Sequence, residues 1–439
     1  MVHGYRTTDP PPTQQTQVDR DQLVEIQKPS TGIFGYAVKF CALAILFASF
    51  LLYPPEPAET DNIKLTSVWR VDTDHVANSI TPLVRENKYP EKVSLKTGNM
   101  TVEALVEYNF DPQFKQHIDE LLTSYKPDFA AVVAIEPTTG NILALSSFVR
   151  DGEPVGNLTV HSGFPAASLF KIVTATAVLD QGVATPNTLY EYNGKDTSLY
   201  KKNVLRHKRN KWTRTVTLAN AFGRSINTVF GRMGVFEVGG DALIDYSKVF
   251  GFDHSLPFDL VVNPSQVEID PKDEWQIAEA ASGYTKSITI SPLHAAMIMA
   301  AIVNDGVMVE PRLIKDAYYL DGPLLYSSTQ NTRQILESST AQNMRVLMRD
   351  TIKKGSARKR FRGFFKGEYA NLDVGGKTGS LTGNNPRGRT EWFVGYGDSG
   401  TRQIAIAAVI VNKEKWRIKP SSLTRKILEE YFKNTSVNG

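Results

Sequence analysis

The chain has 439 residues, of which 41% are hydrophobic and 22% charged, a globular composition that excludes a collagen-like, coiled-coil or wholly disordered protein. The length allows two or three domains with a large core, and a net charge of +4 is too small to indicate nucleic acid binding by itself. A single cysteine, Cys41, excludes an intrachain disulfide, a cysteine-rich zinc site and an iron–sulfur cluster.

The N-terminal segments predict a membrane anchor. Residues 1–31 are polar and rich in Pro, Gln and Thr, which predicts a disordered cytoplasmic tail. Residues 32–53 are apolar or small except for Lys39, and a helix of about 21 residues spans about 31 Å, the thickness of a bilayer core. Such a length without a polar face favours a transmembrane helix over a buried core helix. Pro54 and Pro55 would end the helix.

Charges around this segment predict its orientation. Lys28 and Lys39 lie towards its N-terminal side, whereas Glu56, Glu59 and Asp61 follow it, so the positive-inside rule places the N-terminus in the cytoplasm. A cleaved signal peptide fits less well, because a long polar segment precedes the apolar run and no small-x-small cleavage site follows it. We therefore expect an uncleaved signal anchor with the rest of the chain outside.

The remaining chain predicts a short linker followed by an α+β domain. Residues 54–99 give no strong periodic signal, so we expect a linker or pedestal there, before a domain over residues 100–435. Strands at both ends with helices between them predict a sheet built from distant parts of the chain. The predicted elements are a strand at 102–108, a helix capped by Asp111 and ending near Tyr125, a hairpin at 130–135 and 142–146, apolar helices from Ser168 and at 292–303, strands at 374–380, 391–396 and 404–411, and an amphipathic helix at 422–432.

Ser168-Leu169-Phe170-Lys171 is the first of three short motifs that suit chemistry. Residues three apart on a helix share a face, so Ser168 Oγ and the Lys171 amine can meet. Burial beside apolar neighbours lowers a lysine pKa and can leave the amine neutral, able to act as a base. The pattern is weak when taken alone, since a chain of this length contains about two by chance.

Ser225-Ile226-Asn227 is the second motif. Positions two apart in a loop can direct a serine hydroxyl and an asparagine amide into one cleft. Taken alone, a helix-capping serine or a plain loop is the simpler explanation.

Gly376-Lys377-Thr378-Gly379-Ser380 is the third motif. On an extended strand Lys377 and Gly379 share a face, and the glycine allows a substrate to approach the strand edge closely. A phosphate-binding loop is rejected, because position 371, where that pattern needs glycine, is Asn and no long helix follows.

Together, in this order, the three motifs resemble those of the penicillin-binding protein and serine β-lactamase superfamily, specifically its transpeptidase domain. Other segments are similar to parts of that domain. Residues 131–145 are similar to its opening hairpin and residues 165–182 to its nucleophile helix. Residues 290–311 are similar to a later core helix and turn, and residues 391–397 to the strand that follows its Lys-Thr-Gly motif. The resemblance covers about residues 100–435. It implies an α+β, β-lactamase/transpeptidase-like fold with a central antiparallel sheet flanked by helices, preceded by one transmembrane helix.

The resemblance implies a peptidoglycan D,D-transpeptidase in which the first two motifs carry the acyl transfer. Ser168 would attack the penultimate D-Ala carbonyl of a D-Ala-D-Ala stem peptide, with Lys171 as its base. Ser225 would relay a proton to the leaving amine. Asn227 would hold Lys171 and the substrate amide. The same serine would be acylated by β-lactams.

The third motif would bind the substrate and stabilise developing charge. Lys377 would supply positive potential, Thr378 and Ser380 would bind the terminal carboxylate, and Gly379 would keep the strand edge open. The backbone N–H groups of Ser168 and Ser380 would form the oxyanion hole. Residue 380 is Ser where many transpeptidases carry Thr, which retains the hydroxyl. The reaction would need no metal or organic cofactor.

Several alternatives stay open at this point. A D,D-carboxypeptidase, in which water replaces the acceptor amine, has the same motifs. A β-lactamase fits less well, because no ExxxN-type glutamate loop occurs between Val261 and Glu279. A receptor that binds β-lactams or cell wall without turnover is disfavoured by the three intact motifs. Residues 54–99 are too short for the glycosyltransferase module of bifunctional family members.

Two basic segments, residues 201–214 and 353–366, each contain seven Lys or Arg. A solvated surface is the simpler explanation, and attraction to anionic glycan, lipid headgroups or a cell-wall synthesis partner protein is the alternative. Export of the domain would exclude nucleic acid as a partner. The expected location is the bacterial cytoplasmic (inner) membrane, single-pass, with the catalytic domain on the periplasmic or extracellular side, where it meets stem peptides and β-lactam antibiotics.

Overall fold

The computed structural model describes residues 71–98, 100–150 and 155–433. The predicted cytoplasmic tail and the anchor at 32–53 lie outside the described residues. Within the described ranges, no helix is both long enough and apolar enough to cross a membrane.

The elements of the first half bring the chain to the first two motifs. They are α1 (Thr73–Arg85), β1 (Lys92–Thr97), β2 (Met100–Tyr108), α2 (Pro112–Tyr125), β3 (Phe129–Ile135), β4 (Ile142–Val149), β5 (Phe164–Pro165), a 3₁₀ turn (Ala167–Phe170), α3 (Lys171–Asp180), β6 (Leu189–Tyr192), α4 (Lys201–Leu205), β7 (Arg214–Thr217), α5 (Leu218–Arg224), α6 (Asn227–Met233) and α7 (Gly240–Val249).

The second half supplies most of the central sheet. Its elements are β8 (Gln266–Val267), α8 (Glu274–Ser282), β9 (Ile288–Ile290), α9 (Pro292–Val303), β10 (Val307–Val309), β11 (Ile314–Tyr319), β12 (Leu324–Ser327), β13 (Thr332–Gln334), α10 (Ser338–Lys353), β14 (Asp373–Asn384), β15 (Arg387–Asp398), β16 (Gln403–Asn412) and α11 (Pro420–Tyr431).

The central sheet joins the two ends of the domain, as its sequence pattern predicts. Its order is β14-β15-β16-β3-β4, and every neighbouring pair is antiparallel. The join lies between β16 and β3, where Val409 faces Ala131. The expected antiparallel sheet is therefore confirmed, and β14, which carries the third motif, lies at its edge.

Both faces of this sheet are covered, because its strands are apolar on both sides. All seven residues of β3 are buried. Alternate residues Ala130, Val132 and Ala134 belong to one apolar cluster with α2 and α11. Ala131 and Val133 belong to a second cluster that includes α9, whose twelve residues are all buried. The result is three layers with the sheet in the middle, and the predicted flanking helices are confirmed.

Local signals place several elements as expected. The Asp111 carboxylate accepts a hydrogen bond from the Phe114 N–H at 3.0 Å and starts α2, and Tyr125 ends it. The predicted hairpin is formed by β3 and β4, with Val133 opposite Leu145. The three C-terminal strands are longer than predicted but contain the predicted ranges.

The linker expected at residues 54–99 requires correction over its described part. Residues 73–85 form α1 and residues 92–97 form β1, which pairs with β2 in a second sheet of order β1-β2-β11-β12. Ile80 and Leu95 are fully buried in the same apolar cluster as α9. The signal was weak because Thr81 and Pro82 interrupt the apolar pattern of α1 and because β1 is short. The boundary expected at residues 99 and 100 instead falls between two paired strands.

Candidate active site

Ser168 lies in a tight turn rather than on the regular helix that its motif predicts. The 3₁₀ turn runs directly into α3, which begins at Lys171. Residues three apart in a 3₁₀ turn lie almost directly above one another, which brings the two side chains together. Ala167, just before the serine, has a φ of +49°, a conformation that a residue with a side chain rarely adopts.

Gly283 packs tightly behind this turn. It follows α8 with a φ of +63°, and a Cβ atom there would overlap the Ala167 carbonyl and lie 2.9 Å from the Ser168 nitrogen. Glycine is therefore required for two reasons, its left-handed backbone and the close approach. This contact fixes the position of the turn that carries Ser168 relative to the end of α8.

Lys171 is completely buried, and its amine contacts both of the first two motifs. Nζ donates to Ser168 Oγ at 3.0 Å, to Asn227 Oδ1 at 2.8 Å and to the carbonyl oxygen of Ser282. Burial, and then the charge of Lys377, hold the pKa of Lys171 well below its usual range. Loss of one proton leaves an amine with a free electron pair beside the serine hydroxyl.

Ser225 and Asn227 flank a break between two helices. Ser225 ends α5 in the left-handed conformation with a φ of +61°, and Asn227 is the first residue of α6. This break directs the two side chains to different lysines. Asn227 accepts from Lys171, whereas Ser225 Oγ accepts from Lys377 Nζ at 2.9 Å.

Lys377 lies on the inner side of the edge strand β14. It is fully buried, donates also to the Thr378 carbonyl oxygen at 2.9 Å, and its ammonium lies 5.4 Å from the ring centre of Phe222. Burial lowers the pKa of Lys377 to about 7. The site therefore contains two buried lysines, each within hydrogen-bond reach of a different serine.

The two hydroxyl-bearing residues of the third motif face a surface cleft. Thr378, Gly379 and Ser380 line its wall along the open edge of β14. A Cβ atom on Gly379 would come within 3.3 Å of the Trp392 side chain, so the strand packs closely there. Trp392 in turn donates from Nε1 to the Pro165 carbonyl oxygen at 2.9 Å, which fixes β15 to the segment before Ser168.

A cleft of about 620 Å³ opens above these residues. Of the predicted site residues, six line the cleft and two lysines lie beneath it. The six are Ser168, Ser225, Asn227, Thr378, Gly379 and Ser380. The three sequence motifs thus contain residues that the fold brings together from separate segments. Within the described ranges, no group of three or more His, Cys, Asp or Glu side chains is placed to hold a metal ion.

Some residues at the site belong to none of the three motifs. Ser282 contributes only its backbone carbonyl to Lys171, which no side-chain motif reports. Ser356 lies in the second basic segment, and its hydroxyl is 2.6 Å from Thr378 Oγ1. Arg224 and Thr197 also line the cleft beside the second motif. A Gly-Ser pair directly after a helix is the one sequence signal that could have indicated Ser356.

The basic segments differ in their relation to the cleft. Arg360, in residues 353–366, lines it and is exposed. Arg214, at the end of residues 201–214, instead contacts the loop before α4. Every Lys and Arg side chain of the two segments is exposed, as the solvated-surface interpretation predicts.

Comparison with known proteins adds independent information. The family model for the penicillin binding protein transpeptidase domain matches residues 130–433. The peptidoglycan D,D-transpeptidase PbpA of Mycobacterium tuberculosis is 26% identical over 334 residues, covering 66% of this chain and 63% of the relative. MrdA of Escherichia coli, also a peptidoglycan D,D-transpeptidase, is 22% identical over 353 residues, covering 68% and 54%. The chain thus spans less than two thirds of the length of these relatives.

Solved structures support the same fold. The transpeptidase domain of a peptidoglycan glycosyltransferase from Eggerthella lenta superimposes with a TM-score of 0.62 at 24% identity, covering 76% of this chain and 84% of the other. A ceftriaxone acyl-enzyme complex of penicillin-binding protein A from M. tuberculosis gives 0.62 at 23% identity, covering 74% and 79%.

Proposed function

Because the chain belongs to the penicillin-binding protein transpeptidase family, we propose that it is a peptidoglycan D,D-transpeptidase that crosslinks stem peptides through a serine acyl-enzyme. One observation carries the proposal. The buried amine of Lys171 lies 3.0 Å from Ser168 Oγ. Ser168 itself lines a cleft that is large enough for the end of a peptide. A hydroxyl paired with a buried amine of lowered pKa is an activated nucleophile.

In the acylation step, Lys171 takes the proton of Ser168 as its oxygen forms a bond to the penultimate D-Ala carbonyl. The tetrahedral oxyanion is stabilised by the backbone N–H groups of Ser168 and Ser380. The C–N bond then breaks, Ser225 passes a proton to the departing D-Ala nitrogen, and Lys377 resupplies Ser225 through their 2.9 Å hydrogen bond. The ester on Ser168 remains.

In the second step the amine of a neighbouring stem peptide attacks this ester. It loses a proton to the same lysine and serine network, a new amide forms, and the Ser168 hydroxyl is regenerated. Thr378 and Ser380 hold the terminal carboxylate of the donor during acylation, with the positive potential of Lys377 beneath them. Asn227 keeps Lys171 directed at the serine and contacts the substrate amide. β-Lactams acylate the same serine and block turnover.

The test is covalent labelling of the full chain with a fluorescent penicillin, followed by mass-spectrometric mapping of the modified residue. Ser168→Ala should abolish labelling without loss of folding, since it removes one hydroxyl. Ser338→Ala, at the exposed start of α10, is the control and should label normally. Full labelling of Ser168→Ala would refute the site. Product analysis with a donor and an acceptor stem peptide should show crosslinked product, whereas release of D-Ala alone would indicate a carboxypeptidase.

We also propose that residues 32–53 anchor the enzyme in the cytoplasmic membrane, with residues 1–31 inside and the domain outside. The proposal is supported by the apolar length of that segment and the charges around it. Protease added to spheroplasts should digest the domain while a tag at residue 1 stays protected. Digestion of the tag with protection of the domain would reverse the orientation.

A further inference from the structure

The side-chain oxygen, the side-chain nitrogen and the backbone N–H of Asn227 each have a hydrogen-bond partner in an earlier segment of the chain. Its Oδ1 accepts from Lys171 Nζ at 2.8 Å. Its Nδ2 donates to the Thr197 carbonyl oxygen at 2.9 Å, and its backbone N–H donates to the Asp196 carbonyl oxygen at 2.8 Å. The orientation of the amide that holds Lys171 is therefore set by two consecutive residues of the loop at 193–198, between β6 and α4.

The side chain of Asp196 is in turn held by three partners. Arg224 donates from Nε to Oδ2 at 3.0 Å and from Nη2 to Oδ1 at 3.0 Å, a bidentate pair. The Tyr192 hydroxyl donates to Oδ1 at 3.1 Å, and Arg214 lies 3.6 Å from the same oxygen. The side chains of Asp196 and Arg224 are only 27% and 31% exposed, so the pair is partly shielded from water. Charge-assisted bidentate pairs of this kind fix geometry as well as adding stability.

Arg224 is also the chain neighbour of Ser225. The left-handed conformation of Ser225 is maintained at the end of α5, where its N–H donates to the Phe222 carbonyl oxygen at 3.0 Å. Arg224 and Thr197 both line the cleft. A single ion pair thus joins the loop that holds Asn227 to the helix end that presents Ser225.

The geometry points to Asp196 and Arg224 as positioning residues of the second motif. Their ion pair holds the 193–198 loop against the end of α5. This arrangement maintains the hydrogen bond from Lys171 to the Asn227 side-chain oxygen and the hydrogen bond from Lys377 to the Ser225 hydroxyl. Neither side chain reaches Ser168 or either lysine, and both act through Asn227 and Ser225. The assignment rests on the proposed acyl transfer at Ser168.

Three variants of the full chain test this assignment: Asp196→Asn, Arg224→Gln and the double substitution. The measurement is the second-order rate of acylation by a fluorescent β-lactam, with thermal melting to confirm folding. Each single change should slow acylation at least about tenfold, because misplacing a catalytic group by about 1 Å costs up to about 10²-fold. The double variant should be no more than about threefold slower than the slower single variant, because both substitutions break the same pair.

The pH profile of the double variant separates positioning from a general loss of folded protein. The pair is neutral as a whole before and after the change, so its direct electrostatic effect on Lys171 largely cancels. A displaced Asn227 no longer accepts from the Lys171 ammonium, which lowers the pKa of Lys171 further. The acidic limb of the acylation profile should therefore move to lower pH while the plateau falls. A smaller folded fraction would scale the rate at every pH and leave the limb in place.

Two further variants complete the design. Arg224→Lys keeps the charge but not the bidentate contact, so its rate should lie between those of wild type and Arg224→Gln, and it is the mildest change if the others fail to fold. Arg209→Gln is the control, since Arg209 is 81% exposed, 3.5 Å from Glu191 and away from the cleft lining. It should acylate within about twofold of wild type.

Several results would overturn the assignment while leaving the proposed function intact. They are folded single variants that acylate within about twofold of wild type, a double variant whose loss is the product of the two single losses, or an acidic limb that stays in place or moves to higher pH. If the wild-type chain is not acylated on Ser168, the proposed function itself fails.

Discussion

Lys171 and Lys377 have fully buried amines, and all the hydrogen-bond partners of these amines among the described residues are uncharged. Neither amine forms a hydrogen bond or ion pair with a carboxylate among the described residues, and burial lowers the pKa of both. A general acid or base is most effective when its pKa lies near the operating pH, as that of Lys377 does at about 7. The chemistry of the site is therefore a consequence of desolvation rather than of ion pairing.

Lys171→Arg should slow acylation at least about 100-fold, the low end of a general-base contribution. Arginine retains the charge and most of the bulk but cannot deprotonate. In wild type, acylation should rise with pH until Lys171 is neutral. Rates of β-lactam acylation across pH test both points. Near-normal acylation by the variant, or a wild-type rate that falls as pH rises from acidic to neutral, would exclude lysine as the base.

Lys377→Met should change the pH dependence of stability. The pKa of Lys377 is about 7 when folded, against 10.5 for an ordinary, solvated lysine. Between these values the unfolded state binds more protons, so this residue makes wild type more stable as pH rises, and its full destabilising effect is present below about pH 7. The melting temperature of the variant relative to wild type should therefore be higher at pH 6 than at pH 10.

The matched control is Lys353→Met, at an exposed position at the end of α10. Its melting temperature relative to wild type should vary much less between the two pH values. Equal pH dependence in both variants would show that burial of Lys377 does not lower its pKa in the folded state.

At the scale of elements, the active site depends on close contacts between segment ends rather than on regular helix packing. The end of α8 touches the turn that carries Ser168 at Gly283, and the turn after α10 touches α5, where the Ser356 N–H donates to the Gly223 carbonyl oxygen at 2.9 Å. Both contacts require glycine, because a Cβ atom at Gly223 would lie within 2.8 Å of the backbone of α10. The first two motifs are thus positioned from outside their own segments.

Gly283→Ala should destabilise the protein and slow acylation at least about tenfold, since the new methyl group displaces the Ala167–Ser168 peptide and misplaces the nucleophile. The control is Gly182→Ala, because Gly182 has nearly the same φ, +67°, and a Cβ atom added there would meet nothing within 4 Å. That change has only the backbone cost of about 1–2 kcal/mol for a side chain in the left-handed region and should leave acylation within about twofold of wild type. Melting curves and labelling rates compare the two, and equal behaviour would rule out the contact as the cause.

For the molecule as a whole, the second sheet extends the core to residues well before the family match. The fully buried Ile80 and Leu95 join the same apolar cluster as α9, whereas the matched domain begins at residue 130. The N-terminal elements therefore contribute to the stability of the matched domain.

A chain that begins at residue 69 should fold and label with penicillin as the full chain does. One that begins at residue 100 loses α1 and β1, exposes the edge of β2 and part of the core, and should melt far lower or aggregate. Solubility, thermal melting and labelling of the two chains are the measurements. A chain from residue 100 with the melting temperature of the longer one would show that α1 and β1 are dispensable.

The sequence by itself determined the features that depend on local spacing. These are the Asp111 cap, the β3–β4 hairpin, the buried helix α9, and the three motifs, whose six cleft residues and two lysines the structure brings together. The roles assigned to those residues stay predictions, as do the anchor and its orientation. Periodicity and capping report such features because their partners lie within a few residues.

Only the tertiary structure decided which distant groups complete the site. The Ser282 carbonyl on Lys171, the Asp196–Arg224 pair behind Asn227 and the Ser356 hydroxyl at Thr378 each join segments far apart in the chain. The same holds for α1 and β1, which are regular because they pack against β2 and the core. Such contacts leave no periodic pattern and no fixed spacing in the sequence, because they arise only when packed elements bring backbone and side-chain atoms within a few ångströms of one another.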